Sequence, residues 1–576
     1  MEFAFLDGLA REAGRPPVVV ATDILAAKRS NDRARVDRVW QVDRATLSAL
    51  AVRRCLLGMD ANDPDDRLLD WLWAMLTLPT WAVSAHLPQN DLPALGKPTL
   101  DLAACEMAAL LAEAREVLRP WMDATSKTLA GSVLAEIDRQ VLTPYAAGAY
   151  AWWDDHNSRE LNNWAGVCAG SILAACESLA AQGEPRPAAR ERALKGLGLF
   201  FDRGFTPRAE CDEGVMYWIY GVEFACVGLS RLGEEELRGA IDFERFCAVA
   251  DYPRRAHLFG DTFFSGNDAG MRAWAPRGFV PWLAGATDNA FLAWWAREHG
   301  TVMARHFGQM LRGLAARAES GAAAPPAPTA VEWLEDQQAM IVRVAAPGGP
   351  LTVCLTGGTN DERHNHNDLG HFVVALGERL VVPDLGAPHY AADFFGPRRY
   401  TYLPASSRGH CCPVVNGHEQ RAGTEVMAGM LKWSGEPAAP TLTLDLTAAY
   451  PADAGLTRWV RELACDAAAG RAVIRDAFAF ADDERRQVTQ VVWTLERPQF
   501  LGSAAADGAA LARLGPVVLE VRPAPDEIRV ELVQPERLNL RDYAGQTLCR
   551  IEMVYERVPV DGRTEMTFRV AEGEEV

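Results

Sequence analysis

The run Arg363-His-Asn-His-Asn-Asp-Leu-Gly-His-Phe372 places three histidines and an aspartate within eight positions. Six of the chain's eleven histidines (His364, His366, His371, His389, His410 and His418) fall in this part of the sequence. Imidazole moves protons near neutral pH and binds divalent metal, so such a cluster is where chemistry is expected. His364 and His366 are two apart: they point the same way on a strand, whereas on a loop their directions are free. Arg363, Arg398, Arg399, Arg408 and Arg421 lie in or near the cluster. Arg399, with Arg398 and Tyr400, could hold a carboxylate or sulfate in bidentate fashion, and a salt bridge would use the same residues equally well.

Two kinds of segment must position these groups. Up to about residue 320 apolar residues recur at three- and four-residue spacing, as over 45–57, 68–85, 102–118, 161–180, 188–201 and 215–232, which predicts amphipathic helices. Thirteen of the seventeen tryptophans precede residue 300, which suits a large array of helices packed in layers. A Pro/Ala-rich stretch follows, and a linker is expected at 321–335. Beyond it the apolar segments are short, β-branched and often alternating: 340–344, 351–356, 372–376, 441–446, 472–480, 488–495, 517–521, 528–533, 548–554 and 565–570. Turn residues separate them, the pattern of an antiparallel sandwich or stacked sheets. The expected class is α+β and multidomain, with a helical domain at 1–320 and a β domain at 336–576.

At 576 residues the chain is long enough for more than one core. A net charge of −19 argues against a nucleic-acid surface. No uninterrupted apolar run approaches 20 residues, so no membrane partner is expected. The start, Met-Glu-Phe-Ala-Phe-Leu-Asp, does not look like a signal peptide, and the twelve cysteines show no CxxC spacing. Reduced thiols in a cytoplasm are the simpler reading. A homodimer is compatible with all of this.

Three further stretches sharpen the picture: Leu161-Asn-Asn-Trp-Ala-Gly-Val-Cys-Ala-Gly170, Asp212-Glu-Gly-Val-Met-Tyr-Trp-Ile-Tyr-Gly221, and the histidine run joined to Val382-Pro-Asp-Leu-Gly-Ala-Pro-His-Tyr390 and Ser406-Ser-Arg-Gly-His-Cys-Cys-Pro-Val-Val-Asn-Gly417. In this order they resemble the heparinase II/III-like family of polysaccharide lyases, whose relatives include oligo-alginate and chondroitin lyases. The resemblance spans roughly residues 150–425 by motif. It implies an incomplete (α/α) toroid followed by antiparallel β-sheets, and β-elimination at a 4-linked uronic acid. That reaction needs the uronate carboxylate neutralised, the C5 proton removed and O4 protonated, and donors aimed at the developing charge supply the largest contribution.

By this resemblance Asn163, and with it Asn162, stands where an amide neutralises the carboxylate, although Asn-Asn before an apolar run also looks like a helix cap. Tyr217 is the candidate proton shuttle, with Tyr220 its competitor three residues on; Tyr220 and Arg363 are also candidates for holding substrate, as are Arg399 and Tyr400. His364 would face the substrate as base or carboxylate partner. His366, Asp384 and His410 would hold a structural divalent metal, and two imidazoles with a carboxylate suit zinc or manganese. Asp368 reads as a loop-organising acceptor, Glu213 as a residue that could orient His364 or the tyrosine, and the loop ending in Ser-Gly-Asn-Asp268 as polar without an assigned role. Cys411-Cys412 departs from the family's habit and offers an extra thiol ligand. The competing readings are an (α/α)-toroid glycoside hydrolase, which needs two carboxylates roughly 5–10 Å apart, and a non-catalytic carbohydrate-binding or envelope-biosynthesis protein.

Overall fold

The computed structural model describes residues 8, 10–16, 19–30, 34–38, 42–57, 66–87, 91–94, 96–148, 152–155, 158, 161–302, 306–316, 326–390, 393–482, 485–504 and 508–571. The class is α+β. The chain divides into two compact units: Met1–Phe205, Tyr217–Asp251 and Trp274–Pro326 form the first, and Thr206–Met216, Tyr252–Ala273 and Ala327–Val576 the second. The sequence boundary near 320 therefore misses two excursions, 206–216 and 252–273, which fold with the β-rich unit. Part of the expected 321–335 linker is strand, beginning at Val331, and residues 321–325 lie outside the described ones.

The first unit is built on α1 (Leu102–Thr125), α2 (Asn163–Ala181), α3 (Pro187–Arg203) and α4 (Val215–Leu229). Helix α1 starts at Asp101, whose side chain caps Ala104 N–H at 2.9 Å. Helix α2 is long and apolar enough to cross a membrane, yet 78% of that stretch is buried within the protein, as befits a central core helix. The helix expected over 68–85 stops early, at Arg67–Leu76. Pro79 cannot continue it and disfavours helical backbone at Leu78.

Close approach fixes the α2–α4 crossing. A Cβ on Gly221 of α4 would stand 3.1 Å from the Cβ of Asn163, and one on Gly166 of α2 would meet the Gly221 carbonyl oxygen at 2.7 Å. Only glycine allows the two backbones this near.

Among the described residues the second unit contains four antiparallel sheets: a two-stranded pair, His257–Phe259 with Thr262–Phe263, and three larger ones. The first is a meander in chain order: β1 (Val331–Leu334), β2 (Ala339–Val344), β3 (Leu351–Thr356), β4 (Phe372–Leu376) and β5 (Arg379–Val382). There follow β6 (Val414–Val415), β7 (Gly429–Ser434), β8 (Thr441–Asp445), β9 (Leu456–Asp466), β10 (Arg471–Phe480), β11 (Val488–Thr494), β12 (Gln499–Ala504), β13 (Ala509–Leu514), β14 (Val517–Arg522), β15 (Glu527–Val533), β16 (Leu548–Tyr555) and β17 (Asp561–Val570). Eight of these pair in the order β7-β8-β9-β10-β17-β14-β13-β12, and four in the order β6-β11-β16-β15. One apolar core draws on the three larger sheets, with Met340, Val353 and Phe372 joining Trp459, Ile474, Val492 and Phe568. Phe372 meets Phe568 edge-on at 5.6 Å.

The histidine run occupies the β3–β4 connection. Gly370, at φ +82°, lies where a Cβ would press on Leu446 at 2.5 Å. Below it, the fully buried Arg461 of β9 donates to Gly370 O (2.8 Å) and Cys411 O (2.7 Å) while gripping Asp476 through two hydrogen bonds of 2.8 and 2.7 Å. One guanidinium thus fixes the backbone beside both His371 and His410.

Candidate active site

The helical unit carries Asn162, Asn163, Tyr217 and Tyr220. Asn162 is the N-cap of α2, its side-chain oxygen accepting from Trp164 N–H at 3.1 Å. That is the capping alternative, and it engages the side-chain oxygen. Asn163 is the first helical residue and is half-buried. Tyr217 is also half-buried and precedes Gly221 by one helical turn, so it lies on the α4 face that meets Asn163. Tyr220 has a different fate. Its hydroxyl donates to Glu106 at 2.7 Å, and Glu106 also contacts His306 Nε2 at 2.9 Å and pairs with buried Arg44.

Burial alone would raise the Glu106 carboxyl, but Arg44 and His306 outweigh it and hold it down to about 2. Burial and that carboxylate push the Tyr220 phenol well above its usual range. The Tyr220 hydroxyl, a candidate for holding substrate, is tied into a buried polar network. Tyr220→Phe is expected to destabilise the fold by about 1–3 kcal/mol with little change in kcat, whereas Tyr217→Phe should do the reverse. Denaturant unfolding and initial rates on the same two proteins check this, and the opposite pattern would move the proton-transfer role to Tyr220.

The β-rich unit gathers a denser group around Asp268. Its carboxylate meets His364 Nδ1 at 2.8 Å, His366 Nε2 at 3.0 Å, Tyr390 OH at 3.0 Å and Arg399 Nη2 at 2.9 Å. Burial would lift this acid, yet the hydrogen bonds from the two histidines and the charge of Arg399 hold it well below the usual carboxylate range. The His364 side chain is 24% exposed and its Nε2 lies 3.5 Å from Glu213. Burial raises Glu213 to about 7, although the charge of His364 pulls it back.

The backbone of His364 is left-handed, at φ +56°, an uncommon state for a non-glycine residue that surrounding structure must enforce. Arg399 enforces it by donating to His364 O (2.5 Å) and Asn365 O (2.9 Å), and Asn267 by accepting from His366 N–H at 3.1 Å. Arg399, expected to grip substrate, is thus 8% exposed and spent on holding this loop. Tyr400 accepts from Asn365 Nδ2 at 3.1 Å. Arg363 is half-buried, and its charge acts on Glu213.

The metal candidates are close together. Two groups each bring their ligand atoms within 4.8 Å of one another: His366, Asp368 and His410, and His371, Asp384 and His410. The expected set His366, Asp384 and His410 draws on both groups, which also bring in Asp368 and His371. His410 Nε2 lies 2.8 Å from the Pro404 carbonyl and His366 Nε2 lies 3.0 Å from Asp268, so both direct Nδ1 inward. His366 Nδ1 is buried without a hydrogen-bond partner, and His410 Nδ1 and Asp384 Oδ2, 3.2 Å apart, are buried with no partner beyond each other and His371; imidazole and carboxylate atoms so placed fit a divalent cation.

His371 fits less well. Its Nδ1 accepts from Cys411 N–H at 3.0 Å, which puts the ring proton on Nε2, the atom facing Asp384 at 3.2 Å. Burial opposes charge on His410, but Asp384 outweighs it and holds the imidazolium up to about 9, so an entering cation displaces a proton. Cys412 Sγ lies 3.6 Å from Leu369 O, and burial pushes both cysteine thiols up, which makes them poor extra ligands.

Sequence reasoning did not assign Asp268, the centre of the group. The one signal was its place at the end of a glycine-containing polar loop. Tyr390 was quoted in a motif without a role.

No protein-family model matches the chain, and no curated protein matches it in sequence. Solved structures do share its fold. Heparinase III superposes with a TM-score of 0.64 at 11% identity, covering 99% of this chain and 89% of that one. The heparan sulfate lyase HepC from Pedobacter heparinus gives 0.60 at 12%, covering 93% and 77%. The chondroitin AC lyase of Streptomyces coelicolor A3 gives 0.53 at 13%, covering 99% and 83%. The chain has the fold of heparinase-like polysaccharide lyases.

Proposed function

We propose that the protein is a lyase that cleaves 4-linked uronate glycans by β-elimination. The observation that carries this reading is the partly exposed His364, oriented through Nδ1 by buried Asp268, in a chain with the fold of polysaccharide lyases. In the reaction the C5–H bond breaks and its electron pair forms the C4=C5 double bond. The C4–O4 bond breaks in turn, and O4 leaves with a proton.

Asn163 supplies amide N–H groups to the uronate carboxylate and cannot itself remove the C5 proton. Tyr217 and His364 carry the proton steps, and Asp268 keeps the His364 ring in one orientation. Glu213, raised to about 7, can stand protonated near neutral pH and so avoids repelling the substrate carboxylate. The hydrolase alternative gains no support from Glu213 and Asp268, the carboxylates that flank His364. Asp268 is 1% exposed and fully engaged, so it is not available as nucleophile or base.

In this reading the helical unit is an incomplete (α/α) toroid, the β-rich unit a set of stacked sheets, and the place of action the cytoplasm. A divalent ion, zinc or manganese, held by His366, His410 and the aspartates would order the β3–β4 loop. Elemental analysis of the purified protein should find about one such ion per chain, and His410→Ala should lower its occupancy more than about tenfold. A metal-free wild type would contradict the assignment. The lyase reading itself is tested by product: unsaturated uronate ends from wild type, lost in Tyr217→Phe and His364→Ala.

A further inference from the structure

The wall beside His364 continues into residues that neither the fold nor the proposed chemistry requires. Tyr390 stacks near His364, with ring centroids 6.3 Å apart and an interplanar angle of 20°. On Tyr390 lies the guanidinium of Arg541, 3.9 Å from the ring centroid. Phe395, 60% exposed, meets Tyr390 edge-on at 4.7 Å and His364 at 5.6 Å.

This placement is built into the backbone. Segment 387–390 runs antiparallel to 539–541, tied by His389 N–H to Asn539 O (2.7 Å), Arg541 N–H to Ala387 O (3.1 Å) and Asn539 Nδ2 to His389 O (3.0 Å), with a bridge between Pro388 and Leu540. Tyr543 then anchors the segment by donating to Asp384 O at 2.6 Å.

Arg541 differs from Arg399, the other arginine of this wall. Arg399 is buried and its Nε and Nη2 donate to the loop. Among the described residues Arg541 makes no ion pair within 4.0 Å and no side-chain hydrogen bond; its contact is the Tyr390 face. The adjacent carboxylate, Asp542, has an oxygen beside Gly270 and feels the charge of Arg541 without an ion pair to it within 4.0 Å. A half-buried guanidinium held over a ring face can still direct N–H donors from its edge, a fork suited to a planar or tetrahedral anion. Beside it, the exposed Phe395 offers an apolar surface of the kind that covers a sugar's C–H face.

We propose that Arg541 and Phe395 form a subsite next to His364 that selects an oligosaccharide carrying a second anionic group, a carboxylate or a sulfate, on the sugar beside the uronate whose bond is broken. This rests on the lyase reading. Arg541 binds the anion, Phe395 receives the sugar ring, and neither takes part in proton transfer.

The test compares wild type, Arg541→Gln and Arg541→Lys on three uronate oligosaccharides: one sulfated on the neighbouring sugar, its desulfated counterpart with a neutral neighbour, and a homo-oligouronate with a carboxylate there. Rates of unsaturated-product formation give kcat and KM, and calorimetry gives binding of the same compounds. Arg541→Gln should raise KM about tenfold or more, with kcat nearly kept, on the sulfated or the homo-uronate substrate but not on the neutral-neighbour one. Arg541→Lys should recover part of the loss, since it keeps the charge but not the fork. Which substrate responds identifies the anion. Equal KM values for wild type and Arg541→Gln on all three, or an equal rise on all three, would overturn the proposal. If wild type makes no unsaturated product from any of them, the lyase reading fails, and the calorimetric comparison of wild type with Arg541→Gln still decides the anion site.

Discussion

His364→Ala is expected to lower kcat by about two to four orders of magnitude with KM little changed. The magnitude follows from removing a proton-transfer group rather than a binding contact. The fold should survive: His364 is partly exposed, and the loop's anchors (Arg399 on the backbone carbonyls, Asn267 on His366 N–H) do not use its side chain. Asp268→Asn provides the sharper comparison. It keeps the shape but weakens the bond that sets the His364 tautomer, so kcat should fall while the imidazole remains. Measured on the same substrate with matched melting temperatures, a His364→Ala protein of wild-type rate would remove His364 from the mechanism.

The second large effect concerns stability. Arg461→Met is expected to destabilise the β-rich unit by about 3–5 kcal/mol, the cost of leaving one partner of a buried ion pair without its counter-charge. Asp476 would keep Trp459 Nε1–H at 3.0 Å and Gln490 Nε2–H at 2.8 Å but lose the guanidinium. Adding Asp476→Leu should restore only part of the loss. The carbonyls of Gly370 and Cys411 would still lack the donor that fixes the segments bearing His371 and His410. Denaturant unfolding of the single and double variants reads this directly. Full recovery in the double variant would mean that the carbonyl contacts contribute nothing.

Much of this was legible from local pattern. Helices at 45–57, 102–118 and 188–201 and strands at 351–356 and 372–376 carry their periodicity openly, and the density of histidines marked the β3–β4 loop. What was hidden depends on partners far away in sequence. Asp268 lies 96 residues before His364, in a segment that reads as the end of the helical region yet folds with the β-rich unit. Strand β9 was missed because Arg458, Arg461 and Glu462 break its apolar alternation, and one of those charges, Arg461, is buried by an ion pair that no local pattern reveals. Arg399 looked like a ligand because it adjoins the histidines, but burial gave it to the loop backbone. Tyr217 and Tyr220 were indistinguishable by spacing until Glu106, 114 residues upstream of Tyr220, claimed one of them.

The most direct measurement is the mass and ultraviolet absorbance of the products that wild-type protein releases from a purified 4-linked uronate oligosaccharide. Elimination predicts fragments whose masses sum to that of the substrate, one of them bearing the absorbing C4=C5 uronate. Fragments that together carry one added water and no unsaturation would contradict the account.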